Sequence, residues 1–199
     1  MIGTPFKFEH LIRLLPLAGV REPSDSGLVI EDDQGAIVAL IDAAGQGRGA
    51  AESARRAATI VRRVANRSVA EAFLEVHRAL EGEPGVSLGL ARLDFATSRI
   101  EFTGVGRVYG AVAGSVERVL TSVPGTVGVG LPKAPSPGVI QAARGDVMVL
   151  AVDGLVDAWD LAKLWRRADH PPLASLVHSI SSFPDRLPDD GSVILALLP

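Results

Sequence analysis

Ala36-Ile37-Val38-Ala39-Leu40-Ile41-Asp42-Ala43-Ala44-Gly45-Gln46-Gly47-Arg48-Gly49 carries an apolar strand through a single acid into a glycine-rich loop. Its two flanks decide the fold. Upstream, Leu28–Ile30 is a second β-branched run. The polar Glu31-Asp32-Asp33-Gln34-Gly35 between the runs ends in the glycine that a hairpin with positive φ requires. Downstream, apolar residues recur at positions 50, 54, 57, 58, 61, 64 and 65, which is a helical period. Ser68 with Glu71 three residues on is a capping-box pattern, so a second helix follows, striped by Val69, Phe73, Val76 and Leu80.

That second helix settles one ambiguity. Gly45, Gly47 and Ala50 fit the G-x-G-x-x-A spacing of a dinucleotide loop, but that fingerprint needs a strand after the first helix, ending in an acid about 20 residues on. The chain returns to strands only later, at Ser87–Asp94, Arg99–Val105, Val108–Ala113 and Glu117–Leu120. The short connections between them predict an antiparallel meander. Residues 121–138, rich in proline and glycine, read as a loop around at most one short strand. Val139–Ala142 and Val147–Val152 follow as strands, with Arg144-Gly145-Asp146 as their turn. A helix from about Leu155 to Arg167, a second opened by Pro171-Pro172 through Ser181, and a closing strand Ser192–Leu198 complete the chain. The pattern predicts one α+β domain over residues 1–199, with two packed, mainly antiparallel sheets flanked by helices.

Composition narrows the chemistry. The 199 residues are 47% hydrophobic, enough for a core, which excludes a disordered chain. Acids outnumber bases 23 to 20, which argues against a uniformly basic surface and against nucleic acid as a partner. There is no cysteine, so disulfides, zinc knuckles, iron–sulfur clusters and thiol nucleophiles are absent together. His10, His77, His170 and His178 stand too far apart for a paired metal site. Any metal must therefore be held by oxygen. The apolar stretch Leu14–Val20 is short and interrupted by Pro16, so a soluble, cytoplasmic protein with no membrane partner is expected.

Four acidic sites stand at strand ends or beside glycine turns. Asp25 precedes one strand, Asp42 and Asp153 each end one, and Asp189-Asp190 precede the last. Singly, such residues are ordinary turn formers and caps. Together, carboxylates placed against apolar strands need positive compensation. A pair of hard divalent cations would supply it. Two ions roughly 3.5–4 Å apart can also acidify a shared water and aim it at phosphorus.

The segments that hold these acids carry a resemblance over about residues 20–198. Ser24-Asp25, Ala39-Leu40-Ile41-Asp42-Ala43-Ala44-Gly45-Gln46-Gly47, Gly145–Leu155 and Asp189-Asp190-Gly191-Ser192-Val193 occur in order. So arranged, the sequence resembles the metal-dependent protein phosphatases of type 2C. It is most similar to the compact bacterial branch that includes SpoIIE, RsbU and RsbX. Phe102-Thr103-Gly104-Val105-Gly106 falls where that branch has its mid-chain glycine pair, and the compact length is closest to the RsbX type, the feedback phosphatases of the bacterial stressosome.

The resemblance implies an enzyme that hydrolyses phosphoserine or phosphothreonine with two divalent cations, manganese or magnesium, and no phosphoenzyme. It implies Asp25, Asp42, Asp153 and Asp189 as metal ligands, Asp42 touching both ions, with the Ala43 carbonyl assisting. Asp42 and Asp153 would be the residues on which catalysis depends. The implied substrate is a phosphorylated stressosome or anti-sigma-antagonist protein. Three positions depart from the family pattern: Ala43 replaces a glycine, Gln46 replaces the histidine of Gly-His-Gly, and Arg107 stands where the branch has asparagine. Ala43 is compatible with a ligand carbonyl if its φ is negative.

Arg48, in the loop after Asp42, and Arg107 are candidates for holding a substrate phosphate. Arginines 55, 56, 62, 63 and 67 read as a solvated helix surface, His77 as a boundary residue, and Trp159 and Trp165 as core or lid. The substitutions at 43 and 46 motivate an alternative of a different class, a phosphatase-like module that acts by docking a regulatory partner.

Overall fold

The computed structural model describes residues 8–16, 23–131, 136–153, 155, 165, 172–181 and 191–199. In chain order the elements are β1 (Glu9–Leu15), β2 (Asp25–Glu31), β3 (Gly35–Ala43), α1 (Arg48–Arg63), α2 (Val69–Ala79), β4 (Val86–Asp94), β5 (Arg99–Val105), β6 (Val108–Ala113), β7 (Glu117–Leu120), β8 (Ser122–Val123), β9 (Gly138–Gln141), β10 (Val147–Val152), α3 (Leu173–Ser181) and β11 (Gly191–Leu197). One sheet runs β1-β11-β10-β6-β7, antiparallel throughout. The other runs β2-β3-β4-β5, and the outer edge of β5 is shared by β9, antiparallel, and β8, parallel.

β3 shows how the sequence builds the layers. Eight of its nine residues are buried, so it reads as a continuous apolar run rather than an alternating one. Ile37, Ala39 and Ile41 pack among α1 and α2, while Ala36, Val38 and Leu40 face the other sheet. Between the sheets, Phe102, Met148, Leu150 and Ile194 fill the middle layer. Leu155, Trp165 and the α3 residues Leu173, Leu176 and Val177 cover the outer face of the first sheet. Each fully buried Leu, Ile or Phe contributes about 1.5–3 kcal/mol relative to exposure. The two-sheet α+β architecture expected from the pattern is the one observed.

Helix boundaries follow local chemistry. Ala50, Ala54 and Ala57 give α1 a small-residue face that lies close on the sheet. Ser68 caps α2 as the pattern predicts: its hydroxyl accepts from Glu71 N–H, and the Glu71 carboxylate accepts from Ser68 N–H at 3.1 Å. That charged partnership, led by the Ser68 side chain, holds the Glu71 carboxyl below its ordinary pKa.

Three sequence expectations need correction. Gly35 does not adopt positive φ. Instead Asp32 Oδ1 accepts from Gln34 and Gly35 N–H at 2.8 and 3.0 Å to shape the turn. Gly35 is required because a Cβ there would lie 2.1 Å from the Leu93 carbonyl oxygen. The predicted meander breaks at Gly106, where the chain leaves the second sheet at β5 and enters the first at β6. Arg144-Gly145-Asp146 likewise links strands in different sheets, since β9 pairs β5 whereas β10 lies between β6 and β11. Both errors have one cause: a short glycine connection looks the same in sequence whether it closes a hairpin or crosses a sandwich. Of the helix expected from Leu155 to Arg167, only Leu155 and Trp165 lie within the described residues, both buried.

Candidate metal centre

Asp25 and Asp42 are exact partners in the β2–β3 ladder, Cα opposite Cα. Asp42 continues the Ala36-Val38-Leu40 row that faces the other sheet. Asp25 continues the row of Gly27, whose position is packed against Ile12 and Ile194 of that sheet. Both acids therefore sit at one end of the gap between the sheets. They are 5% and 7% exposed, and both Asp25 carboxylate oxygens are shielded from solvent. The hairpin fixes them there, and Ala43 N–H extends it to the Ser24 carbonyl.

Asp153 reaches the same end from the opposite sheet, as the first residue after β10. Arg107 joins the two sides. Its Nη2 lies 3.3 Å from Asp42 Oδ2 and its Nη1 lies 3.1 Å from Asp153 Oδ2. The crossing from β5 to β6 delivers this guanidinium. Gly106, at φ +84°, turns the chain directly over Ser87, and its N–H donates to the Val123 carbonyl at 3.0 Å. Val108, the residue after Arg107, is the ladder partner of Val152. Arg107 is thereby set beside Asp153.

The remaining candidates fall as follows. Ala43 is the buried last residue of β3 and is not among the positive-φ residues, so alanine is accommodated there without strain. Asp189 lies outside the described residues, as do His170 and Trp159. Arg48 opens α1, with Nε 2.9 Å from Glu52 and a side chain 88% exposed. It pairs along the helix with Glu52, four residues on. His77 Nδ1 accepts from Gly128 N–H at 2.9 Å, which makes it a loop anchor.

Sequence reasoning overlooked Ser87 and Val123, which meet Gly106 only in the fold and so leave no signal in the sequence. It also passed over Asp146, a buried carboxylate that accepts from Ser115 and Ala143 N–H and organises the turn before β10.

Among the described residues, no group of three or more acids and histidines lies close enough to hold an ion by itself. What the site does contain is three carboxylates, two of them buried, and one guanidinium bridging two of the three. The donor set is all oxygen and carries excess negative charge, which suits hard divalent cations.

Comparison with known proteins agrees with this architecture. No curated protein matches the chain significantly. A solved structure described as "The bacterial stressosome: a modular system that has been adapted to control secondary messenger signaling" superposes with a TM-score of 0.85 at 24% identity, covering 96% of this chain and 100% of that one. RsbX in complex with magnesium gives 0.85 at 20% identity, covering 96% of each. The catalytic domain of the serine/threonine protein phosphatase PstP with two manganese ions gives 0.71 at 16%, covering 96% of this chain and 97% of that one. The family profile described as Stage II sporulation protein E (SpoIIE) matches residues 32–196. With a match over most of its length, and with the fold of these phosphatases, the chain belongs to the SpoIIE family of PP2C-type protein phosphatases.

Proposed function

We propose that the protein is a metal-dependent serine/threonine phosphatase whose substrate is a phosphorylated regulatory protein of bacterial stress signalling, of the stressosome or anti-sigma-antagonist type, in the cytoplasm. The observation that carries this reading is the convergence of Asp25, Asp42 and Asp153 from two sheets onto one end of the sandwich. A fold has no packing reason to bury two facing carboxylates, since like charges directly opposite destabilise a ladder. A divalent ion would reward the arrangement. Among the described residues no helix is long and apolar enough to cross a membrane.

In this reading Asp25, Asp42, Asp153 and Asp189, with the Ala43 carbonyl, hold two divalent cations, manganese or magnesium. Such ions would acidify a water for attack on phosphorus and take up charge developing on the phosphoryl oxygens. The chain's own residues do the rest. Asp42, fixed by the hairpin, orients what binds between the sheets. Asp153 closes the site from the other side. Arg107, with a forked guanidinium at the same mouth, is suited to a phosphate dianion. The stress-signalling substrate is supported by likeness to the stressosome structure and to RsbX.

Hydrolysis of a phosphoserine protein, measured with and without manganese, tests the proposal. Asp42→Asn and Asp153→Asn should each abolish turnover in folded protein. Metal-independent turnover, or wild-type rates in both variants, would overturn it. The docking-module alternative is favoured by one observation, that Arg107 already bridges two of the acids. It predicts partner binding with no turnover.

A further inference from the structure

We infer that Arg107 is a built-in counter-cation of this site, holding Asp42 and Asp153 together until a divalent ion displaces its guanidinium, so that metal binding and Arg107 release form one equilibrium. The inference rests on the metal-site reading above and concerns what that site does before metal arrives.

The geometry is that of a bridge rather than a simple ion pair. Different terminal nitrogens of Arg107 reach carboxylates on different sheets, at 3.3 Å to Asp42 and 3.1 Å to Asp153. The guanidinium thus takes up the charge that would otherwise keep the two acids apart. It cannot leave by losing its proton at any physiological pH, so only displacement removes it. Displacement is open to it. The Arg107 side chain is 49% exposed, whereas Asp42 is 9% exposed at its side chain. The mobile partner is therefore the cation, and the fixed partner is the acid. Half-exposed ion pairs are weak, so a divalent ion that gains several oxygen ligands can outcompete this one. The backbone beneath is anchored by Gly106 N–H on the Val123 carbonyl, so the side chain can swing without unmaking the crossing between sheets. An asparagine here, neutral and shorter, would neither brace the acids nor compete.

Calorimetric titration of the full chain with manganese alone tests this, comparing wild type with Arg107→Gln and Arg107→Lys. Arg107→Gln should bind manganese more tightly, on the order of ten-fold, because no cation has to be displaced. Its metal-free form should melt lower than wild type, and the two should converge in saturating manganese. Arg107→Lys, with a single ammonium in place of a fork, should fall between them. Equal or weaker manganese affinity in Arg107→Gln overturns the inference while leaving the metal site standing. Absence of binding in every form overturns both. Should Arg107→Gln not fold, the wild-type side-chain NMR signal of Arg107 decides. It should move in step with magnesium occupancy, and a signal unmoved while magnesium binds overturns the inference.

Discussion

Asp25 and Asp42 face each other directly across the β2–β3 ladder, both buried. Opposed like charges cost a ladder about 0.2–1 kcal/mol. Asp25→Asn should therefore raise the melting temperature of the metal-free protein by about 1–4 °C. It should also remove most of the rise that manganese gives the wild type, since ligand binding stabilises by mass action. Scanning calorimetry with and without manganese measures both. A lower melting temperature for metal-free Asp25→Asn would show that the charge is stabilised by its surroundings.

Gly106→Ala should damage activity more than folding. At φ +84° the added Cβ is strained, and it would lie 2.5 Å from Ser87 Oγ and 3.1 Å from Ser87 Cα. The cost is about 1–3 kcal/mol of stability. Relief of the clash shifts the crossing that aims Arg107, so kcat/KM on a phosphoserine protein should fall at least about ten-fold, a loss of about 1.4 kcal/mol in transition-state binding. Unchanged kinetics would detach the crossing from the site.

Gly35→Ala should show the opposite split. A Cβ 2.1 Å from the Leu93 carbonyl forces β3 and β4 apart at the end remote from Asp42. Urea denaturation should show a loss of about 1–3 kcal/mol. Manganese affinity of the folded fraction should match wild type.

The α2 cap supplies a pH test. The Ser68 hydroxyl and N–H hold the Glu71 carboxyl below its ordinary value. A depressed carboxylate stabilises the fold above its unfolded pKa and loses that contribution as pH falls through its folded value. Glu71→Ala should thus be less stable than wild type at pH 7, and the gap should narrow through the acid range below about pH 4. A gap constant with pH would show that the charge on the Glu71 carboxyl contributes nothing to the cap.

Local signals were legible in the sequence and topology was not. The Ser68–Glu71 box, the boundaries of β5, β6 and β7, and the long apolar β3 all follow from nearest-neighbour chemistry. The sheet to which each strand belongs is decided by contacts far apart in the chain, so Gly106 and Gly145 read as hairpin turns when they cross the sandwich. The site divides the same way. Asp25, Asp42 and Asp153 stood out by their positions at strand ends, but that Arg107 ties two of them together depends on the crossing at Gly106. Gly35 was singled out for the wrong reason, because a close carbonyl on another strand leaves no mark in the turn's own sequence.

The pairing of β1 with β11 sets an order on biosynthesis. β1 is an edge strand whose sole partner among the described strands is β11, with Glu9 opposite Leu197. β2 through β5 can assemble against α1 and α2 as they emerge, from contacts close in sequence. The first sheet has to wait: β10 has β6 on one side only, and β1 hangs unpaired, until β11 has been made. The carboxylate pair at Asp25 and Asp42 is thus formed early, whereas the sheet that carries Asp153 is complete only once β11 is in place. A chain cut short before β11 should therefore be inactive, and substitutions that weaken β11 should appear first as insoluble protein rather than as slow enzyme.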